Sequence, residues 1–119
     1  MSWDVEVTDE FKGSWLDLID RERDDVEAYV TLLEERGPQL DHPFSSKING
    51  LKHAHMRELR VQSGGKPIRI FYAFNPVRTA LLLIGGDKTG DKRFYDKYIP
   101  VADRLYDEHL EALGKESLV

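Results

Sequence analysis

Three apolar runs standing almost end to end, Met56–Gln62, Pro67–Asn75 and Thr79–Ile84, limit how this chain can fold more than any other feature. Gly64-Gly65 separates the first two and Asn75-Pro76 opens the second break; such links can turn a strand back on itself but are too short to hold a crossover helix. The runs therefore predict an antiparallel meander. Nearly every position in Ile68–Phe74 is apolar, as in a central strand covered on both faces, and Arg69 is the exception. An unpaired guanidinium there would cost several kcal/mol, so Arg69 is expected to meet a carboxylate or open onto a cleft. In the strand before it, period-two alternation groups Arg57 with inward-turning Leu59 and Val61, leaving Glu58 and Arg60 on the other face.

The flanking sequence supplies helices. Trp3–Val7 alternates apolar and acidic residues and predicts a short strand. Thr8 can cap a helix whose apolar stripe is Phe11, Trp15, Leu18 and Ile19. Asp20 reads as a second cap or tight joint before Val26, Tyr29, Val30 and Leu33, and Gly37-Pro38 stops that helix. Pro38 to His53, rich in Pro, Asp, Ser, Asn and Gly, reads as a surface loop. Beyond the meander, Gly85–Gly90 reads as a loop and a last helix opens near Asp91, with a kink or fresh start at Pro100 and fraying from Gly114. With 119 residues and no internal repeat, the expectation is one domain, 1–119, of class α+β: an N-terminal strand and two-helix hairpin packed on an antiparallel meander sheet, followed by a C-terminal helix.

Charge is unevenly placed. The chain carries −5 overall, yet residues 56–98 hold nine Lys/Arg against four Asp/Glu, while residues 1–55 hold six against thirteen. The basic sheet and acidic helices thus form different surfaces, and the basic one suits a polyanion that fits closely. Because there is no cysteine, disulfides, thiolate metal sites and cysteine nucleophiles are excluded. The acidic N-terminus is unlike a secretory leader, and no apolar run approaches a membrane span, so the expected location is cytoplasmic with no membrane partner. His53 and His55 could share a strand face, but no third metal ligand is evident. Gly86-Asp87-Lys88-Thr89 lacks the glycine spacing of a phosphate-binding loop.

Glu58-Leu59-Arg60, Arg69-Ile70-Phe71-Tyr72, the run from Gly85 to Tyr95 and Ile99–Tyr106, in this order of elements, resemble the RelE/ParE superfamily of toxin–antitoxin toxins, and within it the phage-derived HigB-like branch. The resemblance covers almost the whole chain. It implies a RelE-like fold and a metal-independent mRNA interferase that inhibits translation, usually by cutting messenger RNA on the ribosome, held inactive by a helix-turn-helix antitoxin of the HigA kind. It also implies site residues: Arg69 at the scissile phosphate, Arg60 or Arg57 from the preceding strand, Lys88, Lys92 or Arg93 from the loop after the last strand, and Tyr95. Arg69, Tyr95, Lys88 and Arg60 are the catalytic candidates; Arg57, Lys92 and Arg93 are RNA-binding candidates. Glu58 departs from the family pattern, standing at a usually basic position. A ParE-like gyrase-binding toxin or a catalytically inactive phage-derived relative are the alternatives.

RNA cleavage without metal or cofactor requires removal of the 2′-hydroxyl proton, stabilisation of phosphorane charge and a proton for the 5′-oxygen. Arginine suits the second task, since its fork matches phosphate oxygens and remains ionised. The base could be Glu58, His53, His55, or Tyr95 with a lowered pKa; Tyr95 or Lys88 could supply the departing proton. Tyr95 also offers a ring for a splayed base. Each assignment has a structural rival: an ion pair for Arg69, strand decoration for Arg60, cover for the sheet end for Tyr95.

Overall fold

Period-two alternation through three consecutive strands gives the sheet two apolar faces, and the computed structural model, which describes residues 2–48 and 56–117, covers each with helix. The elements run β1 (Asp4–Val7), α1 (Asp9–Leu16), α2 (Asp20–Arg36), a 3-10 turn (Gly37–Gln39), β2 (Ser45–Lys47), β3 (Arg57–Ser63), β4 (Lys66–Phe74), β5 (Thr79–Asp87) and α3 (Phe94–Ser117). Sheet order is β1-β5-β4-β3-β2. The meander β3-β4-β5 is antiparallel as the short links require, whereas β1 lies parallel to β5.

On one face, Leu59, Val61, Ile68, Ile70, Tyr72 and Leu82 pack with Phe11, Val26 and Leu33 of α1 and α2. On the other, Phe71, Ala73, Leu81 and Leu83 pack with Phe94, Ala102, Leu105 and Tyr106 of α3. Each fully buried large apolar side chain contributes about 1.5–3 kcal/mol relative to exposure, so both layers are needed to hold the sheet. Thr8 caps α1, its hydroxyl accepting from the Phe11 N–H at 2.9 Å and donating to the Leu83 carbonyl at 2.6 Å, which ties the helix start to the sheet.

Several expectations are corrected. Residues 45–47 form β2 within the stretch read as loop, because β3 offers it backbone partners: Ser46 lies opposite Glu58, and the Arg60 N–H donates to the Phe44 carbonyl at 2.8 Å. Residues 49–53 of that stretch lie outside the described residues. Gly85 and Gly86 continue β5 instead of ending it. A Cβ on Gly86 would stand 2.6 Å from the Tyr98 hydroxyl, so glycine there admits α3 against the strand. The second cap is Glu22, whose carboxylate accepts from the Ile19 N–H at 3.0 Å, and not Asp20. Ile19 leaves the apolar stripe at 61% exposure because α1 ends at Leu16. α3 passes through Pro100 without a break and reaches Ser117, past the expected start of fraying; the proline ring is on the exposed side, where water can reach the carbonyl it leaves unbonded.

Candidate active site

The even-numbered residues of β3 point toward α3, and strand register decides what they meet. Arg60 lies opposite Arg69 and Glu58 opposite Phe71. Two arginines directly across a ladder repel, and the carboxylate next to them offsets that repulsion. Glu58 Oε1 accepts from the Tyr95 hydroxyl at 3.0 Å, Arg60 Nη1 at 3.3 Å and the Ser46 hydroxyl at 3.4 Å, and stands 3.7 Å from Arg69 Nε. The Glu58 and Arg69 side chains are 4% and 6% exposed, so this ion pair is poorly screened. Its hydrogen bonding is incomplete. Glu58 Oε2 and Arg69 Nε are both closed to solvent and have no hydrogen-bond partner among the described residues, while Arg69 Nη1 donates to the Ile68 carbonyl at 3.3 Å.

The first turn of α3 delivers Tyr95. Its ring lies 6.1 Å from that of Phe71 and 5.4 Å from that of Phe94, with Lys88 Nζ 5.2 Å from its centroid on the exposed side. Burial, and then the hydrogen bond to Glu58 and its charge, raise the Tyr95 pKa above the ordinary 10.0. Tyr95 is therefore a neutral hydroxyl near pH 7, which removes the lowered-pKa phenolate from the candidate bases. Of this cluster Glu58, Arg60 and Tyr95 line a cavity of about 350 Å³ together with Ser46, Lys47 and Ile48, and Arg69 is buried behind Glu58 without lining it.

Residues 14–107 match the family model described as Phage derived protein Gp49-like. The chain belongs to the Gp49-like family. It is 39% identical over 113 residues to HigB2 of Mycobacterium tuberculosis and 48% identical over 80 residues to HigB3 of the same organism, both toxins by name. The alignments cover 92% of this chain and 55% of HigB2, and 66% of this chain and 68% of HigB3, so the chain spans little more than half of HigB2's length. The isolated E. coli RelE toxin has the same fold, with TM-score 0.60, 10% identity, and coverage of 82% of this chain and 96% of RelE. So does a chain of the intact E. coli RelBE toxin–antitoxin complex, at TM-score 0.58, 13% identity and coverage of 71% and 95%. This Gp49-like chain is thus related to HigB2 and HigB3 and has the α+β fold of RelE.

The Gp49-like fold gathers Arg60, Arg69 and Tyr95 around Glu58, sets Lys88 beside the Tyr95 ring and leaves the remaining candidates apart. Arg57 is on the opposite sheet face, where Nε donates to the Ser45 hydroxyl at 3.0 Å and Nη2 reaches Asp41 at 3.1 Å. Lys92 and Arg93 are exposed in the turn before α3, with Arg93 Nε 3.9 Å from Asp96. His53 and His55 lie outside the described residues. Sequence reasoning missed Ser46, Lys47 and Ile48, which β2 brings to the cavity rim. Only the register Ser46 to Glu58 could have placed them, because three residues are too few to show strand periodicity.

Proposed function

We propose that this chain is the toxin of a type II toxin–antitoxin pair and acts as a ribosome-dependent mRNA interferase. The observation that carries this reading is the convergence of Arg60, Arg69 and Tyr95 on the Glu58 carboxylate at the wall of one cavity. Arg69 and Arg60 hold the phosphate and stabilise charge on the phosphorane oxygens. Glu58 takes the 2′-hydroxyl proton, the 2′-oxygen bonds to phosphorus, and the bond from phosphorus to the 5′-oxygen breaks. Tyr95, kept protonated by its surroundings, or Lys88 beside it, supplies a proton to the leaving oxygen. A 2′,3′-cyclic phosphate and a 5′-hydroxyl result. The exposed Lys92 and Arg93 attract flanking phosphates.

A helix-turn-helix antitoxin of the HigA kind is the proposed partner, the ribosome supplies substrate positioning, and the cytoplasm is the site of action. RelBE, the fold neighbour, is a toxin–antitoxin complex, which supports the pairing. The test is transcript integrity in a translating extract, read beside plasmid supercoiling by gyrase. Wild-type protein fragments the messenger and leaves supercoiling unchanged, whereas Arg69→Lys with Tyr95→Phe leaves the messenger whole because neither bidentate phosphate binding nor the phenolic proton survives. Intact transcripts with altered supercoiling from the wild-type chain would overturn the reading in favour of a gyrase-binding toxin.

A further inference from the structure

The turn between β4 and β5 holds a cation in an uncommon backbone conformation. Asn75 closes the turn, its side-chain oxygen accepting from the Val77 and Thr79 N–H groups at 3.1 and 2.9 Å, while the Arg78 N–H donates to the Asn75 carbonyl at 3.0 Å. Arg78 thereby sits at φ 65°, a left-handed geometry that glycine adopts freely and arginine only under strain. No ion pair accounts for it. Among the described residues the guanidinium has no carboxylate partner, and its central carbon stands 4.6 Å from the centroid of the Trp3 ring. Trp3 is itself fixed: its backbone N–H donates to the Glu34 carbonyl at 2.8 Å, its ring meets that of Phe74 edge-on at 5.2 Å, and a Cβ on Gly37 would overlap Nε1. The indole is a firm platform for the guanidinium.

Trp3 and Arg78 line a cavity of about 240 Å³ with Ser2, Asp4 and Val77. Asp4 lies opposite Thr79 across β1 and β5, one residue from Arg78, yet the two opposite charges do not join, and Asp4 has no other cation among the described residues. A ligand must therefore offer hydrogens to a carboxylate that can only accept, and a flat face to a planar cation. A phosphate would suit Arg78 and be repelled by Asp4; an amine would do the reverse. A planar ring with two adjacent N–H donors on its edge answers both. Among the four RNA bases guanine alone has that edge, N1–H beside the N2 amino group, since adenine, cytosine and uracil each set an acceptor next to the donor. We propose that Trp3, Arg78 and Asp4 form a guanine site, in which the base stacks on the guanidinium and donates its N1 and N2 hydrogens to the Asp4 carboxylate. The site is separate from the Glu58 cluster. Trp3 and Asp4 precede the matched residues 14–107, and Thr79 is seven residues along β5 from Gly86, the register partner of Arg69, a span of roughly 23 Å. Both a free guanine nucleotide and a guanine within a single strand present the required edge.

The experiment is a two-dimensional NMR titration of the full chain with uncharged nucleosides, which the cations of the Glu58 cavity do not attract. Guanosine is expected to shift the indole N–H of Trp3 and to leave that of Trp15, on α1, in place. Inosine, which lacks the N2 amino group, should bind about tenfold more weakly, and adenosine, cytidine and uridine more weakly still. Asp4→Ala should make guanosine and inosine equal, and Arg78→Lys, which keeps the charge and loses the plane, should lower guanosine affinity about fivefold or more. Both side chains are exposed, so neither substitution removes a core contact. No guanosine shift at Trp3, equal binding of guanosine and inosine by the wild-type chain, a preference that survives Asp4→Ala, or full affinity in Arg78→Lys would each overturn the proposal. A five-nucleotide DNA strand with one central guanine, which has no 2′-hydroxyl through which to be cut, separates the sources. Binding at this site as tight as that of guanosine 5′-monophosphate assigns a strand, and weaker binding a free nucleotide. No arm requires cleavage, so a failure here leaves the nuclease reading standing, and intact transcripts leave the guanine site standing.

Discussion

The two faces of the sheet handle burial in different ways, and β3 belongs to both. Its odd positions Leu59 and Val61 enter an apolar layer with α1 and α2, while its even position Glu58 is almost equally buried yet meets Arg60, Arg69 and Tyr95 on the α3 side. The α1/α2 face also has the larger of the two concavities, an apolar groove of about 480 Å³ bordered by Val5, Phe11, Val30 and Leu82, without convergent cations. Size alone would select that groove; chemistry selects the smaller one. A strand can therefore stabilise the fold with one set of side chains and hold a reactive cluster with the alternate set, one residue away.

The sharpest way to break this comparison is to unbalance the charged face. Arg69→Ala leaves the Glu58 carboxylate without its more deeply buried cation partner and is expected to cost about 3–5 kcal/mol of stability in urea denaturation, together with all transcript cleavage. Leu59→Ala, one step away on the dry face, should cost about 2–5 kcal/mol through the cavity it leaves, with cleavage per folded molecule unchanged. Equal loss of specific activity in both would erase the division between the faces. Tyr95→Phe removes one hydroxyl and is expected to lower the cleavage rate by about 10²–10⁴-fold, with a stability change of only about 0.5–1.5 kcal/mol.

Alkali reads both faces together. Burial raises the pKa of Tyr72, Tyr95 and Tyr106 above the ordinary 10.0. Above that value an unfolded tyrosine releases its proton while the folded one retains it, so the native state binds more protons and stability falls as pH rises from about 10 through the folded values. Tyr95→Phe should make that decline shallower in denaturation curves taken from pH 9 to 11. The smallest effect belongs to Arg57→Ala, whose ion-pair partner Asp41 is largely exposed; it should change stability by at most about 1 kcal/mol and cleavage by less than about twofold. A large loss of cleavage there would place RNA on both sides of the sheet.

Much of this division could be read from residue order. The three apolar runs and their short links specified the meander, and a lone arginine in a central strand required the carboxylate partner that Glu58 supplies. Arg57 shows the limit of charge reading: it is basic and next to the site in sequence, yet its alternation with Leu59 and Val61 turns it to the other face. Glu58 as the hub was not legible, since a strand carboxylate is ordinarily solvated and only register brings three donors to it. β2 escaped notice because Ser45-Ser46-Lys47 has no apolar alternation and becomes a strand only by pairing with β3. Gly85-Gly86 resembled a loop because the reason for those glycines, the approach of Tyr98 and Ile70, is tertiary.

A structure of the chain bound to an RNA whose scissile 5′-oxygen is replaced by methylene, which keeps the 2′-hydroxyl and cannot be cleaved, is the most direct test. A backbone phosphate is expected within hydrogen-bond reach of the Arg69 guanidinium and the Tyr95 hydroxyl, at the cavity walled by Glu58 and Arg60. RNA lying across the α1/α2 groove or against Arg57, with the Glu58 contacts unchanged, would contradict it.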